Sequence, residues 1–212
     1  MIQFFAAVVV AAAATMAPMT HSSMTGSAPQ PKPNASEAAF IQSVSAELLA
    51  TYPTVKQATH AGYIRMTKLE SDNTYVYSTM TYSNIDRIHP NFLWYDRNGK
   101  LVGLDYEYPK SSWPAFPGAS VYPVMASRWV TIPQHIHFAY SVGSGPVQPH
   151  GYKALPNLRS DVITAKELTD DGLLPKGATL AWAHFHPACW DLGFWLVPNA
   201  NGAFADLDPA VK

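Results

Sequence analysis

Phe92-Leu-Trp-Tyr-Asp-Arg-Asn-Gly-Lys-Leu-Val-Gly-Leu-Asp-Tyr-Glu-Tyr-Pro109 decides the fold class. Aromatic and β-branched residues on both sides of Asp96-Arg97-Asn98-Gly99 predict two antiparallel strands joined by a tight turn, because Asn-Gly readily supplies the positive φ such turns need. Working outward, Tyr63 to Thr67, Tyr75 to Thr81, Arg128 to Thr131, His135 to Val142, Ala178 to His186 and Asp191 to Val197 have the same strand-like composition. Asn199-Ala-Asn-Gly202 reads as a turn, and Pro109 to Pro123 as a loop long enough to cover a site.

Before these strands the pattern is helical. Ser36 is a candidate cap for a helix that places Phe40, Ile41, Val44 and Leu48 on one face and stops at Pro53. Thr54-Val-Lys-Gln57 has the form of a capping box, and Gly62 closes the short helix after it. A further short helix is predicted at Thr164-Ala-Lys-Glu167. With no regular alternation of strands and helices, the expected class is α+β: N-terminal helices followed by a mainly antiparallel sheet or incomplete barrel.

Two short patterns carry the chemistry, His135-Ile136-His137 and His184-Phe185-His186. Alternate residues of a strand share a face, so each pair presents two imidazoles about 6 to 7 Å apart on one side. If the strands are neighbours, His135, His137, His184 and His186 converge, and imidazole suits one transition-metal ion such as zinc, copper or iron. Eight histidines in 212 residues give roughly 0.3 such pairs by chance, so two pairs are a signal; histidines that merely face solvent or core on the sheet are the plainer reading. Cys189 and Asp191 follow closely. Cys189 reads first as a small buried thiol, whereas Asp191 has the chemistry to orient a metal-bound imidazole. His60 reads as a helix-end residue; His89, before Pro90, is a candidate additional ligand whose plainer reading is a turn residue.

At the N-terminus, the apolar run Phe4 to Ala14 precedes small residues and a Pro-rich stretch, the form of a secretory signal peptide over residues 1–23. It is shorter than the about 20 residues that span a bilayer, so no stable membrane insertion is expected after cleavage. Residues 24–35 lack apolar periodicity and read as a disordered lead-in, and 36–212 as a single globular domain. The localisation expected is secreted or periplasmic. One cysteine excludes an internal disulfide, and a net charge of −1 with scattered charges excludes a nucleic-acid footprint. Gly143-Ser-Gly-Pro146 is followed by neither a lysine nor a helix pattern, so it is not a phosphate loop.

The hairpin segment Phe92 to Pro109, preceded by Ala61-Gly62-Tyr63 and followed by Asp191-Leu192, Trp195-Leu196, Asn199-Ala-Asn-Gly-Ala-Phe-Ala205 and Asp208-Pro209, resembles a family of uncharacterised secreted proteins. The match covers about half the chain, and it implies export without supplying an activity. The family carries histidines where this chain has Thr81-Tyr82-Ser83-Asn84 and Cys189-Trp190-Asp191-Leu192-Gly193, so the HxH pairs are this chain's own. Pro133-Gln-His-Ile-His-Phe-Ala-Tyr140 is similar to a segment of a second uncharacterised exported family. Cupins also use HxH on a strand, but with a Glu four or five residues on; Ser141 and Val142 stand there after His137, and no Glu follows His186.

Two functions fit these features. One is an exported metal-binding protein with a small-molecule ligand at its ion, a metal-dependent enzyme being one form of it. The other is a non-catalytic secreted binding module with an aromatic-lined pocket under the Pro109 to Pro123 loop; a purely structural secreted domain is the remaining alternative. Export has a direct check. N-terminal sequencing of the protein from medium or periplasm is expected to start between Thr15 and Ala35, and an intact Met1 on a cytoplasmic protein would contradict it.

Overall fold

The computed structural model describes residues 30–83, 85–118, 121–153 and 163–212. The expected signal peptide and the lead-in up to residue 29 lie outside the described residues. From Gln30 onward the chain is tied down: Gln30 N–H donates to Asn201 O (2.9 Å), and Arg128 Nη2 donates to Pro31 O (2.9 Å).

Helix α1 spans Ala35–Thr51 and starts one residue after Asn34, not at Ser36. Asn34 makes the reciprocal capping box, its Oδ1 accepting from Glu37 N (2.9 Å) and its own N–H donating to Glu37 Oε2 (2.9 Å). Ser36 therefore falls in the first turn. Phe40, Val44 and Leu48 are buried as their spacing predicts, and each contributes roughly 1.5–3 kcal/mol. α2 spans Val55–His60. Thr54 precedes it without the expected side-chain cap, because its hydroxyl is taken by the Gln57 side chain. Gly62 closes it at φ +93°.

The strands are β1 (Ile64–Arg65), β2 (Tyr75–Ser78), β3 (Phe92–Tyr95), β4 (Leu101–Pro109), β5 (Val130–Ile132), β6 (His135–Val142), β7 (Gln148–Lys153), β8 (Ala178–His186) and β9 (Cys189–Trp195), with α3 (Ala165–Asp170) between β7 and β8. All pairings are antiparallel. They form two sheets, of order β1-β2-β3-β4-β9-β5 and β7-β6-β8. The α+β class and antiparallel pairing hold; the incomplete barrel does not, and the helices are not confined to the N-terminal side. α3 begins at the predicted capping box, where Thr164 Oγ1 accepts from Glu167 N (3.2 Å).

The reason for two sheets lies at one corner. Ile132 pairs with Cys189 and, three residues on, His135 pairs with His186, so β5–β6 and β9–β8 keep a single register while passing from one sheet to the other. Pro133-Gln134 and Pro187-Ala188 make the turn. Proline carries no N–H for the ladder, so both strands leave the plane of the large sheet at the same level.

One face of the six-stranded sheet, with Leu93, Tyr95, Leu104, Tyr106, Leu192 and Phe194, packs on α1. The outer face of the small sheet, Ile136 and Phe138, packs on Leu168, Leu173 and Leu174 from α3 and the turn after it. Between the sheets lie the other face of the large one and the histidine face of the small one.

Close packing within the hairpin supports that inner face. Trp94 lies over Gly103, where an added Cβ would come 2.1 Å from Trp94 Cε3, and its indole Nε1 donates to Asp105 Oδ2 (2.6 Å). Gly103→Ala is therefore expected to destabilise the protein by about 1–3 kcal/mol in urea unfolding, with a blue-shifted or broadened tryptophan signal as Trp94 is displaced. An unchanged midpoint would contradict this packing.

Candidate metal centre

Strand alternation and register bring the four predicted histidines onto one face. His135 sits opposite His186 and His137 opposite His184, so the two HxH strands are direct neighbours. His135, His137 and His186 are buried; His184 is half-buried. The rings of His135 and His186 stack with centroids 4.0 Å apart, and Nε2 of His135 approaches Nε2 of His137 at 2.9 Å. His184 turns toward Tyr82, whose ring stacks on it at 6.1 Å.

The corner fixes the imidazole tautomers. His135 Nδ1 lies 2.8 Å from Pro133 O, and His186 Nδ1 lies 2.7 Å from Pro187 O. A carbonyl only accepts, so each Nδ1 must carry the proton and each Nε2 presents its lone pair inward. This is the tautomer that a metal takes at Nε2.

Opposite these lone pairs, the large sheet presents acids. Asp105 and Glu107 on β4 and Cys189 and Asp191 on β9 share its inner face, with Glu107 directly across from Asp191. His186 Nε2 lies 2.5 Å from Glu107 Oε2, and the Cys189 thiol hydrogen-bonds the Glu107 carboxyl. One donor atom from each of Glu107, His186 and Cys189 falls within 4.8 Å of the others, and all three residues are buried. A carboxylate oxygen and an imidazole lone pair cannot remain 2.5 Å apart unless a proton or a cation lies between them.

Electrostatics makes this cluster unlike Glu37, another buried acid of the protein. Burial pushes the Glu37 carboxyl up, but Arg128 and the Met125 and Asn34 N–H groups bring it below its ordinary value. Arg128 Nε reaches Glu37 Oε1 at 3.2 Å. Among the described residues no Lys or Arg forms an ion pair with Asp105, Glu107 or Asp191. Burial therefore pushes all three well up, Asp105 further through the charges of Asp191 and Glu107, and Asp191 through Glu107. Among the described residues neither Asp191 oxygen has a full hydrogen bond, the Leu192 N–H offering only a weak one. The Cys189 thiol is raised by burial and by the same acids. Burial holds His184 and His186 down to about 4.

Glu107 was not singled out from sequence. The available signal was Leu104-Asp105-Tyr106-Glu107-Tyr108, two acids at strand spacing inside an otherwise apolar run. His89 is exposed and paired with Asp86 (3.0 Å), and His60 is exposed at the end of α2, both as expected. The side chains of His150 and His21 lie outside the described residues. The loop from Pro109 to Pro123 does not cover this centre: Trp113 packs on Tyr108 and Phe116 on Trp190, both on the face of the large sheet that α1 covers. No family model matches the sequence, and no characterised protein or solved structure is significantly similar to it. No helix among the described residues is long and apolar enough to cross a membrane.

The shifts fix the pH response of the metal-free protein. In the unfolded chain His184 and His186 protonate near 6.5, above their folded value of about 4, so unfolding takes up protons and stability is lost as pH falls from about 6.5 toward 4. Asp191 works the other way. Folded Asp191 keeps a proton that the unfolded chain releases above about 3.8, so its contribution falls as pH rises. In urea unfolding with chelator, Asp191→Asn is expected to match the parent below about pH 4 and to exceed it at pH 7. Equal stability at pH 7 would contradict the burial of an uncompensated carboxyl.

Proposed function

We propose that this protein is an exported metal-binding protein whose ion is held by Glu107, His186 and Cys189, with the His135–His137 pair alongside. The observation that carries the reading is the 2.5 Å contact between His186 Nε2 and Glu107 Oε2, beside a thiol and two further buried acids that, among the described residues, form no ion pair with a Lys or Arg. In the metal-free protein a proton held by Glu107 satisfies that contact, and a divalent cation would take the proton's place while balancing the carboxylate and thiolate it creates. Thiolate, imidazole and carboxylate together suit zinc, copper or iron, and three protein donors leave a coordination position for water or a small substrate oxygen. Such an ion would polarise that oxygen or lower the pKa of bound water. The segments where the chain departs from the secreted family it resembles carry Tyr82 and Cys189, and both border this cluster. Export rests on the apolar run from Phe4 to Ala14.

Glu107 and Cys189 are protonated before the ion arrives, since both are pushed up by burial. Binding must therefore expel protons. Protein purified without chelator is expected to carry one ion per chain by elemental analysis. Calorimetric titration of the chelated protein at pH 7 in buffers of different ionisation enthalpy should show about two protons released. Cobalt should give a thiolate charge-transfer band that Cys189→Ser abolishes, and Glu107→Gln should weaken binding at least about 10-fold, while His60→Ala leaves it unchanged. Well under one ion per chain, with melting indifferent to added zinc, copper or cobalt, would overturn the proposal.

A further inference from the structure

Tyr82 lies outside the helices and strands, packs against the hydrophobic cluster of Val76, Phe92 and Trp94, and stands beside the candidate metal group. Its ring stacks on His184 at 6.1 Å and meets the ring of His186 edge-on at 5.5 Å. Its phenol oxygen is buried, has no hydrogen-bond partner among the described residues, and lies near enough to Glu107 and Cys189 to feel their charges. A hydroxyl removed from water without a partner is destabilising, and at neutral pH a phenol retains a proton to donate. The side chain therefore carries a buried donor, beside the cluster, that no acceptor of the described residues satisfies.

We propose that the Tyr82 hydroxyl donates a hydrogen bond to a small anion, hydroxide or another compact oxygen or nitrogen donor, bound at the open position of an ion held by Glu107, His186 and Cys189. This rests on the metal-binding reading above and adds to it the class of exogenous ligand and the residue that selects it. His184 acts on Tyr82 by stacking, holding the ring so that its oxygen faces the ion rather than solvent. An anion that can accept from the phenol gains over one that cannot. A neutral ligand without an acceptor lone pair leaves the phenol unpaired and is disfavoured.

The test uses the cobalt-loaded full chain and azide as the probe anion. Tyr82→Phe keeps the ring and removes only the oxygen. It should bind cobalt with the same stoichiometry and thiolate band, bind azide about 10-fold more weakly, and shift the water-to-hydroxide transition of the cobalt spectrum up by about one pH unit. A ring that served only to pack would leave both readouts unmoved, and that result would overturn the proposal. A phenolate charge-transfer band on iron(III) or copper(II) that disappears in Tyr82→Phe would also overturn it, by making Tyr82 itself a ligand. Failure of the parent protein to bind cobalt would overturn the metal reading and this inference together. Cobalt uptake with azide affinity equal in the two proteins would overturn this inference alone.

Discussion

Two strand pairs that stay in register while changing sheets are the constraint on which the rest of this structure depends. Because Ile132 remains opposite Cys189 and His135 opposite His186, the small sheet cannot slide against the large one. A slip of one residue would turn every histidine to the α3 side and bring Ile136 and Phe185 against Asp105 and Glu107. The hydrophobic cluster of Ile136, Phe138 and Leu168 on the outer face resists that exchange. The packing of α3 thus holds the imidazoles inward.

The same corner sets the chemistry of the rings it positions. Pro133 and Pro187 take no part as donors, but their carbonyls accept from His135 and His186. Residues that turn the chain also choose which nitrogen carries the proton. The contrast with Glu37 shows that this protein has an ordinary way to bury an acid, a bidentate arginine with added backbone donors. At Asp105, Glu107 and Asp191 no arginine is paired among the described residues, and the only backbone help is the weak Leu192 N–H at Asp191. Retaining three such carboxyls against their own burial is understandable where a cation is to be received, since well-packed apolar residues would otherwise serve the fold better.

Much of this was legible in the sequence, and the failures have identifiable physical origins. Trp94 to Lys100 was readable because turn chemistry is local: Asp96 Oδ1 accepts from Asn98 and Lys100 N–H, and Gly99 adopts φ +71°. The HxH pairs were readable because strand alternation is local too, and their adjacency followed only as a condition that the β6–β8 pairing meets. The start of α1 was read two residues late, since Ser36 has a good capping side chain but Asn34 has the Glu three residues on. What sequence could not give was the meeting of distant elements. Glu107 lies on a hairpin that by itself shows only a half-apolar strand, and β7 has neither alternation nor β-branched residues to announce it. The corner is hidden in the sequence because a proline between two strand-like runs reads equally as the end of one element and the start of another.

The donors also differ in when they become neighbours along the folding path. His186 and Cys189 are close in sequence, but Glu107 joins them only when β4 has paired with β9 across the centre of the large sheet. No short peptide of this chain can assemble the set, so the ion has little to hold in the unfolded ensemble and nearly all of its affinity is directed at the finished domain. An ion at this position would act as a late clasp that slows the opening of both sheets together without guiding their formation. In an extracellular setting, where a lost fold is not rescued by chaperones, it would lengthen the lifetime of the domain, a task that disulfides perform in many secreted proteins.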